Sequence, residues 1–375
     1  MQYSPLSAVK QRIQVGKPLP FNIRDNDATL LLARGQVVGT EGQMQALFAR
    51  GALVDLAELQ TAADVARQVS RGELQGMWSD ALNKMSQTLL NSGREGFLGA
   101  LEEAAPPVLD LIERDKDLAI FQVLRQDQNE FVQYGVNHSS HAAITAFLVA
   151  QRLGWSSDDA IKVFKASLTM NISMLELQGQ LAVQTTPPTA EQRTAIRAHP
   201  DASRRMLEIS GVTDLDWLQA VSQHHEAPDG SGYPRGLHAS HDLAELVRRA
   251  DIYTAKLSPR ANRDAIAADK AGRMMFMQDP GHPMTAALVK EFGVYPPGCF
   301  VKLMSGESGL VVKRGQTVMT PVVAVLTSPY GNNLPKPVRR DTSQREYAIH
   351  SVLGGTASRV KLTPELMMSV LTETA

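Results

Sequence analysis

Apolar residues recur at helical spacing through the middle of the chain and in short β-branched runs towards its ends. From about Asn129 to Phe292 the pattern predicts helix after helix: Val132 to Leu153, Ser157 to Leu177, Ala190 to Ile209, Asp214 to His225, Asp242 to Leu257 and Arg263 to Met277, with Gly- and Pro-containing turns between them. Ahead of these, residues 58–125 are rich in Ala, Leu, Glu, Gln and Arg, and Met77, Leu82, Met85, Leu89 and Leu90 repeat near helical spacing. No heptad persists for three repeats, so this connector reads as helices packing on the next domain, with a dimerising segment as the alternative.

The first 57 residues read as a small β-rich module. Short apolar runs at Pro18–Phe21, Thr29–Leu32 and Val37–Val38 are punctuated by Asp25, Asn26, Asp27 and Gly35. A helix should follow, capped by Thr40 with Gln43 at its third position, carrying Met44, Leu47 and Phe48 on one stripe and stopping at Gly51. Beyond Pro296 the runs Cys299–Met304, Gly309–Lys313 and Val318–Thr327 predict a small antiparallel sheet, and Thr363 and Pro364 open a final helix reaching Leu371. The expected fold is mainly α: a helical bundle over 126–295, the connector at 58–125, the β-rich module at 1–57 and a β extension at 296–375.

Composition adds limits rather than an identity. At 375 residues and 43% hydrophobic content the chain can bury a sizeable core. A net charge of -1 gives no global pull towards nucleic-acid polymers or anionic membranes, so any phosphate must be met by local basic groups. No stretch reaches the roughly 18 apolar residues of a membrane helix, and the N-terminus has no apolar leader core. The lone Cys299 excludes an intrachain disulfide and reads as a small buried residue, so a cytoplasmic setting is expected.

The densest chemistry lies in His224–Pro234, HHEAPDGSGYP, with adjacent histidines, two carboxylates and a Gly-rich turn. This string resembles the hallmark of the HD-GYP family, helical proteins of the HD superfamily that hydrolyse the bacterial second messenger cyclic diguanylate at a two- or three-metal centre. The segments LPFNIRDNDATLLLARGQVV and QMQALFARG resemble the small module that often precedes HD-GYP domains, and PPGCFVKLMSGESGLVV resembles the family's strand-forming tail. The resemblance implies a metal centre built from His138 in NHSSHAA, His199 in RAHP, His224 and His225 in QHHE, and Asp251 in RRADIY. Imidazoles and carboxylates brought together from separate helices suit such a centre, which activates a water and steadies phosphoryl oxygens.

The eponymous pair is missing. Where the family carries a string like LLHDIGK, this chain has SLTMNISM over residues 167–174: Met170 stands for the histidine, Asn171 for the aspartate, Ser173 for the glycine and Met174 for the lysine. Asparagine is nearly isosteric with aspartate but neutral, and cannot offset the repulsion of two dications. Methionine is a soft ligand, ill suited to iron or manganese. His199, His224 and His225 could still hold one divalent ion (iron, manganese, zinc or nickel), or form a hydrogen-bonded network without one. With one ion held there, His138 and Asp251 are left to pair with each other or with an arginine.

Gly232, Tyr233 and Pro234 belong to the loop that borders the substrate pocket in the family, and Tyr233 has a face on which guanine can stack. Arg235 follows the loop, and Arg260 and Arg263 stand in SPRANR, which resembles the family's phosphate-contacting RpYR segment, with Thr254, Lys256 and Asn262 as departures. The expected function is therefore a degenerate HD-GYP protein of cyclic di-GMP signalling, impaired as a hydrolase and acting as a binding or interaction module for cyclic di-GMP or its linear product pGpG. The alternatives are residual metal-dependent phosphodiesterase activity from a rebuilt site, with Glu176 or Asn171 as substitute donors, and a scaffold for a protein such as a diguanylate-cyclase domain.

Overall fold

The computed structural model describes residues 3–59, 69–125, 133–353 and 362–372. The domain boundary expected at residue 126, the helix start expected at Val132 and part of the connector, 60–68, lie outside these residues. The chain divides into two compact units, Met1–Val69 and Ser70–Ala375.

The first unit is a four-stranded antiparallel sheet in the order β1-β4-β2-β3, with β1 at Tyr3–Pro5, β2 at Ile23–Arg24, β3 at Leu30–Leu32 and β4 at Leu53–Asp55. Helix α1, Glu41–Ala49, begins as expected, the Thr40 hydroxyl accepting the Gln43 amide. A short α2 covers Leu56–Leu59. Leu6, Leu19, Phe21, Ile23, Val38, Met44 and Val54 form its core. The runs around Pro18 and Val37 meet only as an isolated bridge, since proline has no N–H to extend a ladder.

The second unit is a helical body with a sheet at its C-terminal end. Its helices are α3 Arg71–Leu90, α4 Phe97–Arg114, α5 Lys116–Leu124, α6 Tyr134–Arg152, α7 Ser157–Thr169, α8 Leu175–Val183, α9 Ala190–Ile209, α10 Leu215–Gln223, α11 Asp242–Leu257, α12 Ala268–Gln278 and α13 Pro283–Phe292. Capping boxes start α3, from Ser70 and Glu73, and α9, from Thr189 and Gln192. The core runs along α6, which is buried over nearly its whole length and packs on α7, α8, α11 and α13. Ala142, Ala143, Ala146 and Ala150 on α6 are fully buried, and side chains that small let the surrounding helices approach closely.

Two predicted helices change shape. The one expected over Ser157–Leu177 breaks after Thr169 and resumes at Leu175. Ser173 explains the break: its amide and hydroxyl bond the Ser203 hydroxyl at 3.2 and 2.9 Å, and its hydroxyl donates to the His199 carbonyl at 3.1 Å, drawing the turn onto α9. The helix expected from Arg263 starts only at Ala268, because Arg260 and Arg263 pair in a turn and the Ile266 amide donates to the Lys256 carbonyl at 2.9 Å.

The C-terminal sheet is antiparallel, order β8-β7-β6-β5-β9, with β5 Phe300–Leu303, β6 Ser308–Lys313, β7 Val322–Thr327, β8 Asn333–Asp341 and β9 Ile349–Val352. Strand β7 starts after Pro321 rather than at Val318. Strands β8 and β9 are additions to the expected set; β8 contains Pro335 and Pro337, which an edge position tolerates. Helix α14, Pro364–Leu371, has the expected Thr363 cap and packs on α3 and β8. The sheet is tied to the helices by ions: Arg314 pairs with Asp117 and with Glu291, the latter at 2.7 Å, Arg152 also pairs with Glu291, and Arg71 bonds Asp115 at 2.7 Å and the Val312 carbonyl at 2.9 Å.

Gly135 marks a close crossing near the start of α6: a Cβ there would lie 2.7 Å from the Leu175 carbonyl oxygen and 2.9 Å from Gln178 Oε1. Gly135→Ala should therefore lower stability by about 1–3 kcal/mol, as overpacking does, read by thermal or denaturant unfolding. An unchanged midpoint would contradict this crossing of α6 and α8.

Candidate functional site

Two helices, α9 and α10, bring the central residues together. His199 lies in the middle of α9, ahead of Pro200, and His224 and His225 follow the last turn of α10. One ligand atom from each of these three histidines lies within 4.8 Å of the others.

Hydrogen bonding fixes two of the rings. His199 Nδ1 is 2.6 Å from the Ile196 carbonyl and His224 Nδ1 is 2.7 Å from the Val221 carbonyl. A carbonyl only accepts, so both Nδ1 atoms carry the proton. Burial, with the His224 charge adding to it, pushes His199 down to about 3; burial also lowers His224, and holds His225 well below the usual imidazole range. These rings are therefore neutral near pH 7, and each Nε2 of His199 and His224 is a bare lone pair. The two Nε2 atoms face each other across 3.1 Å.

Two lone pairs at that distance repel, and a proton between them would charge a ring that burial keeps neutral. A cation held by these histidines would convert the repulsion into attraction. The donor set, three neutral imidazole nitrogens with two tautomers fixed by backbone carbonyls, fits one borderline divalent ion such as zinc, nickel or iron.

His138 on α6 and Asp251 on α11 stand apart from this set, for His138 Nε2 is 2.7 Å from Asp251 Oδ1. Burial would raise the Asp251 carboxyl, but the hydrogen bond and charge of His138 outweigh it and hold the group below the ordinary carboxylate range, with His225 and His224 contributing at longer reach. Asp251 thus puts negative charge beside the three imidazoles while one of its oxygens is committed to His138. Asn171, in the turn between α7 and α8, is buried, and its Oδ1 has no hydrogen-bond partner among the described residues; the same is true of His138 Nδ1. Met170 is fully buried, and Met174 lines a cavity of about 790 Å³ together with His199 and Glu176.

The loop after α10 is held from beneath. The buried Glu226 carboxylate accepts the Arg235 and Leu237 amides, each at 2.8 Å. The Tyr233 amide donates to the His225 carbonyl at 3.1 Å, and its ring stacks on His225 at 4.5 Å between centroids. The Arg197 guanidinium lies 5.9 Å from the Tyr233 ring centre. A Cβ on Gly232 would run into the backbone of His225, Glu226 and Ala227, so the loop requires glycine there. The Tyr233–Pro234 bond is cis.

The arginines separate. Arg260 Nε donates to the Tyr134 hydroxyl at 3.0 Å and its guanidinium lies 5.1 Å from that ring, which in turn stacks on His138. Arg263 directs Nη2 to the Ala255 carbonyl, and Arg235 pairs with Asp201. Tyr134, His141 and Glu226 were missed in reading the sequence. His141 is buried, lines a second cavity with His138, and is pushed down to about 3 by burial and the His138 charge. Its spacing of one helical turn from His138 was the available signal, as was Glu226's place directly after the paired histidines.

Residues 124–279 match the family model for the HD domain. A cyclic di-GMP phosphodiesterase of Pseudomonas aeruginosa is 35% identical over 140 residues, 36% of this chain and 33% of that protein. A 3'3'-cGAMP-specific phosphodiesterase of Vibrio cholerae is 28% identical over 38% of this chain and 31% of its own length. The matches thus span about a third of these relatives. Among solved structures, an HDG"Y"P protein from Bdellovibrio bacteriovorus superimposes with a TM-score of 0.50 at 16% identity, over 76% of this chain and 97% of the other, a likeness of fold.

Replacing Glu226 by alanine strands two amides and should cost about 1–3 kcal/mol, with faster amide exchange at Arg235 and Leu237. Exchange unchanged at both positions would contradict the anchoring.

Proposed function

From the premise that this chain belongs to the HD-GYP family of HD domains, we propose that it is a catalytically impaired member of cyclic di-GMP signalling in the bacterial cytoplasm, binding cyclic di-GMP or pGpG without cleaving it efficiently. The observation that carries this reading is the bond between His138 and Asp251, with the neutral Asn171 standing in the sequence where the family carries its aspartate. Two dications about 4 Å apart repel by about 4 kcal/mol in water's dielectric and by about 16 kcal/mol at an effective value of 20, four times the figure for unit charges. A bridging carboxylate offsets that; a carboxamide does not. One ion on His199, His224 and His225 would polarise a phosphate oxygen.

On this reading Arg260 meets the ligand's phosphate. Its Nε and backbone amide are engaged, while its Nη groups have no partner among the described residues. Arg263 shapes the turn through the Ala255 carbonyl, and Tyr233, held by Gly232 and Pro234, offers a face at the rim. Residual phosphodiesterase activity is the second reading, and one observation favours it: Glu176 and His199 line the same cavity, so a replacement carboxylate is at hand.

Equilibrium dialysis or calorimetry with cyclic di-GMP and pGpG tests the first reading. Arg260→Ala should weaken binding by roughly tenfold or more, the loss of charge-assisted hydrogen bonds; no binding by the wild type to either ligand would contradict the proposal. The back-substituted variant Met170→His, Asn171→Asp, Met174→Lys should gain linear product at least roughly a hundredfold faster than wild type. Rapid turnover by the wild type would instead establish the second reading.

A further inference from the structure

The cavity of about 790 Å³ opens between the end of α3, the turn ahead of α8, and α9, and most of its lining is hydrocarbon. Leu89, Val136, Ile172 and Leu175 make a buried floor. Along α9 the wall is Ala195, Ala198 and Ala202, exposed positions spaced by three and four residues so that they share one face. Their methyl groups leave room that longer side chains would take. At the rim Leu90 is 53% exposed, a large apolar side chain held against the opening. Met174 is half-buried beside it, and an unbranched thioether adapts its shape to what lies against it.

Polar groups stand at the edges of this surface. Glu176 and Gln180 lie exposed on one side of α8, with Gln180 Nε2 donating to Glu176 Oε1 at 3.4 Å. Among the described lining residues Glu176 carries the charge, since His199 is neutral. His199 is also the one member of the three-histidine set on this wall; His224, His225, Tyr233 and Arg260 are not among the described residues that line it. The volume falls within the roughly 300–1,000 Å³ of small-molecule cavities, and an apolar wall with a few polar groups at one end is their usual composition. An aliphatic chain leaving water for such a wall gains in proportion to the area it buries. A carboxylate head would meet the like charge of Glu176, whereas a hydroxyl can donate to it.

We propose that this cavity binds a straight-chain aliphatic small molecule with an uncharged polar head, the chain lying on Leu89, Val136, Ile172 and Leu175 and the head at the Glu176–Gln180 rim. The site is independent of the nucleotide reading and stands or falls without it. N-phenyl-1-naphthylamine, a neutral fluorescent probe, should bind the full chain and be displaced by 1-hexanol, 1-octanol and 1-decanol, each added methylene improving the competition by roughly fourfold. Decanoate should compete more weakly than 1-decanol. Ala198→Phe sets a ring into the cavity from an exposed position; it should weaken the probe and the alkanols by roughly tenfold or more and leave the unfolding midpoint in place. In the wild type 1-decanol should slow amide exchange over 172–180 and 195–202, a readout that needs no variant to fold. A probe that does not bind, competition that is flat with chain length, decanoate competing as well as 1-decanol, Ala198→Phe protein that binds as wild type does, or protection confined to other segments would overturn the proposal.

Discussion

The bond between His138 and Asp251 governs the centre of this protein. At 2.7 Å it joins two side chains from α6 and α11, and the three neutral imidazoles stand as a separate set. A buried carboxylate needs a partner, and removing its partner leaves an uncompensated charge in a low dielectric. Asp251 has found that partner in a side chain. On the proposed reading, a centre in which Asp251 is committed to His138 and Asn171 is neutral holds one cation rather than two.

Around that depleted centre the supporting structure is intact. Glu226 still grips the loop from below, Gly232 still permits its close approach to the backbone, and Tyr233 stacks on His225. Carbonyls of α9 and α10 orient two of the three imidazoles. Helix α3, which enters the same compact unit as the helical body, walls both cavities that reach the histidines, so a ligand seated in either would touch it. The proposed reading, a protein that binds a nucleotide more than it cleaves one, rests on this combination of Met170, Asn171 and Met174 with a loop held by Glu226 and Gly232.

Much of this was legible in the residues. Helices with strong apolar stripes and capping residues, Ala190–Ile209 and Asp242–Leu257, lie where periodicity placed them, because the stripe and the cap act locally. The break at 170–174 was not legible: it depends on Ser173 reaching Ser203 and the His199 carbonyl, contacts thirty residues and one helix away. Strands β8 and β9 were hidden because an edge strand carries prolines and half-exposed polar residues. The three-histidine set followed from motif order, whereas Tyr134 and His141 gain significance only from the cavity that the fold builds over them. Arg263 drew attention through a phosphate-binding motif, yet its guanidinium meets a helix-end carbonyl.

The most direct test is to saturate the protein with manganese or zinc and locate the ions by anomalous diffraction. The account predicts a single peak bound by the Nε2 atoms of His199 and His224 together with His225, and Asp251 still bonded to His138. A pair of peaks about 3.5–4 Å apart, with Asp251 released onto one of them and Asn171 against both, would contradict it.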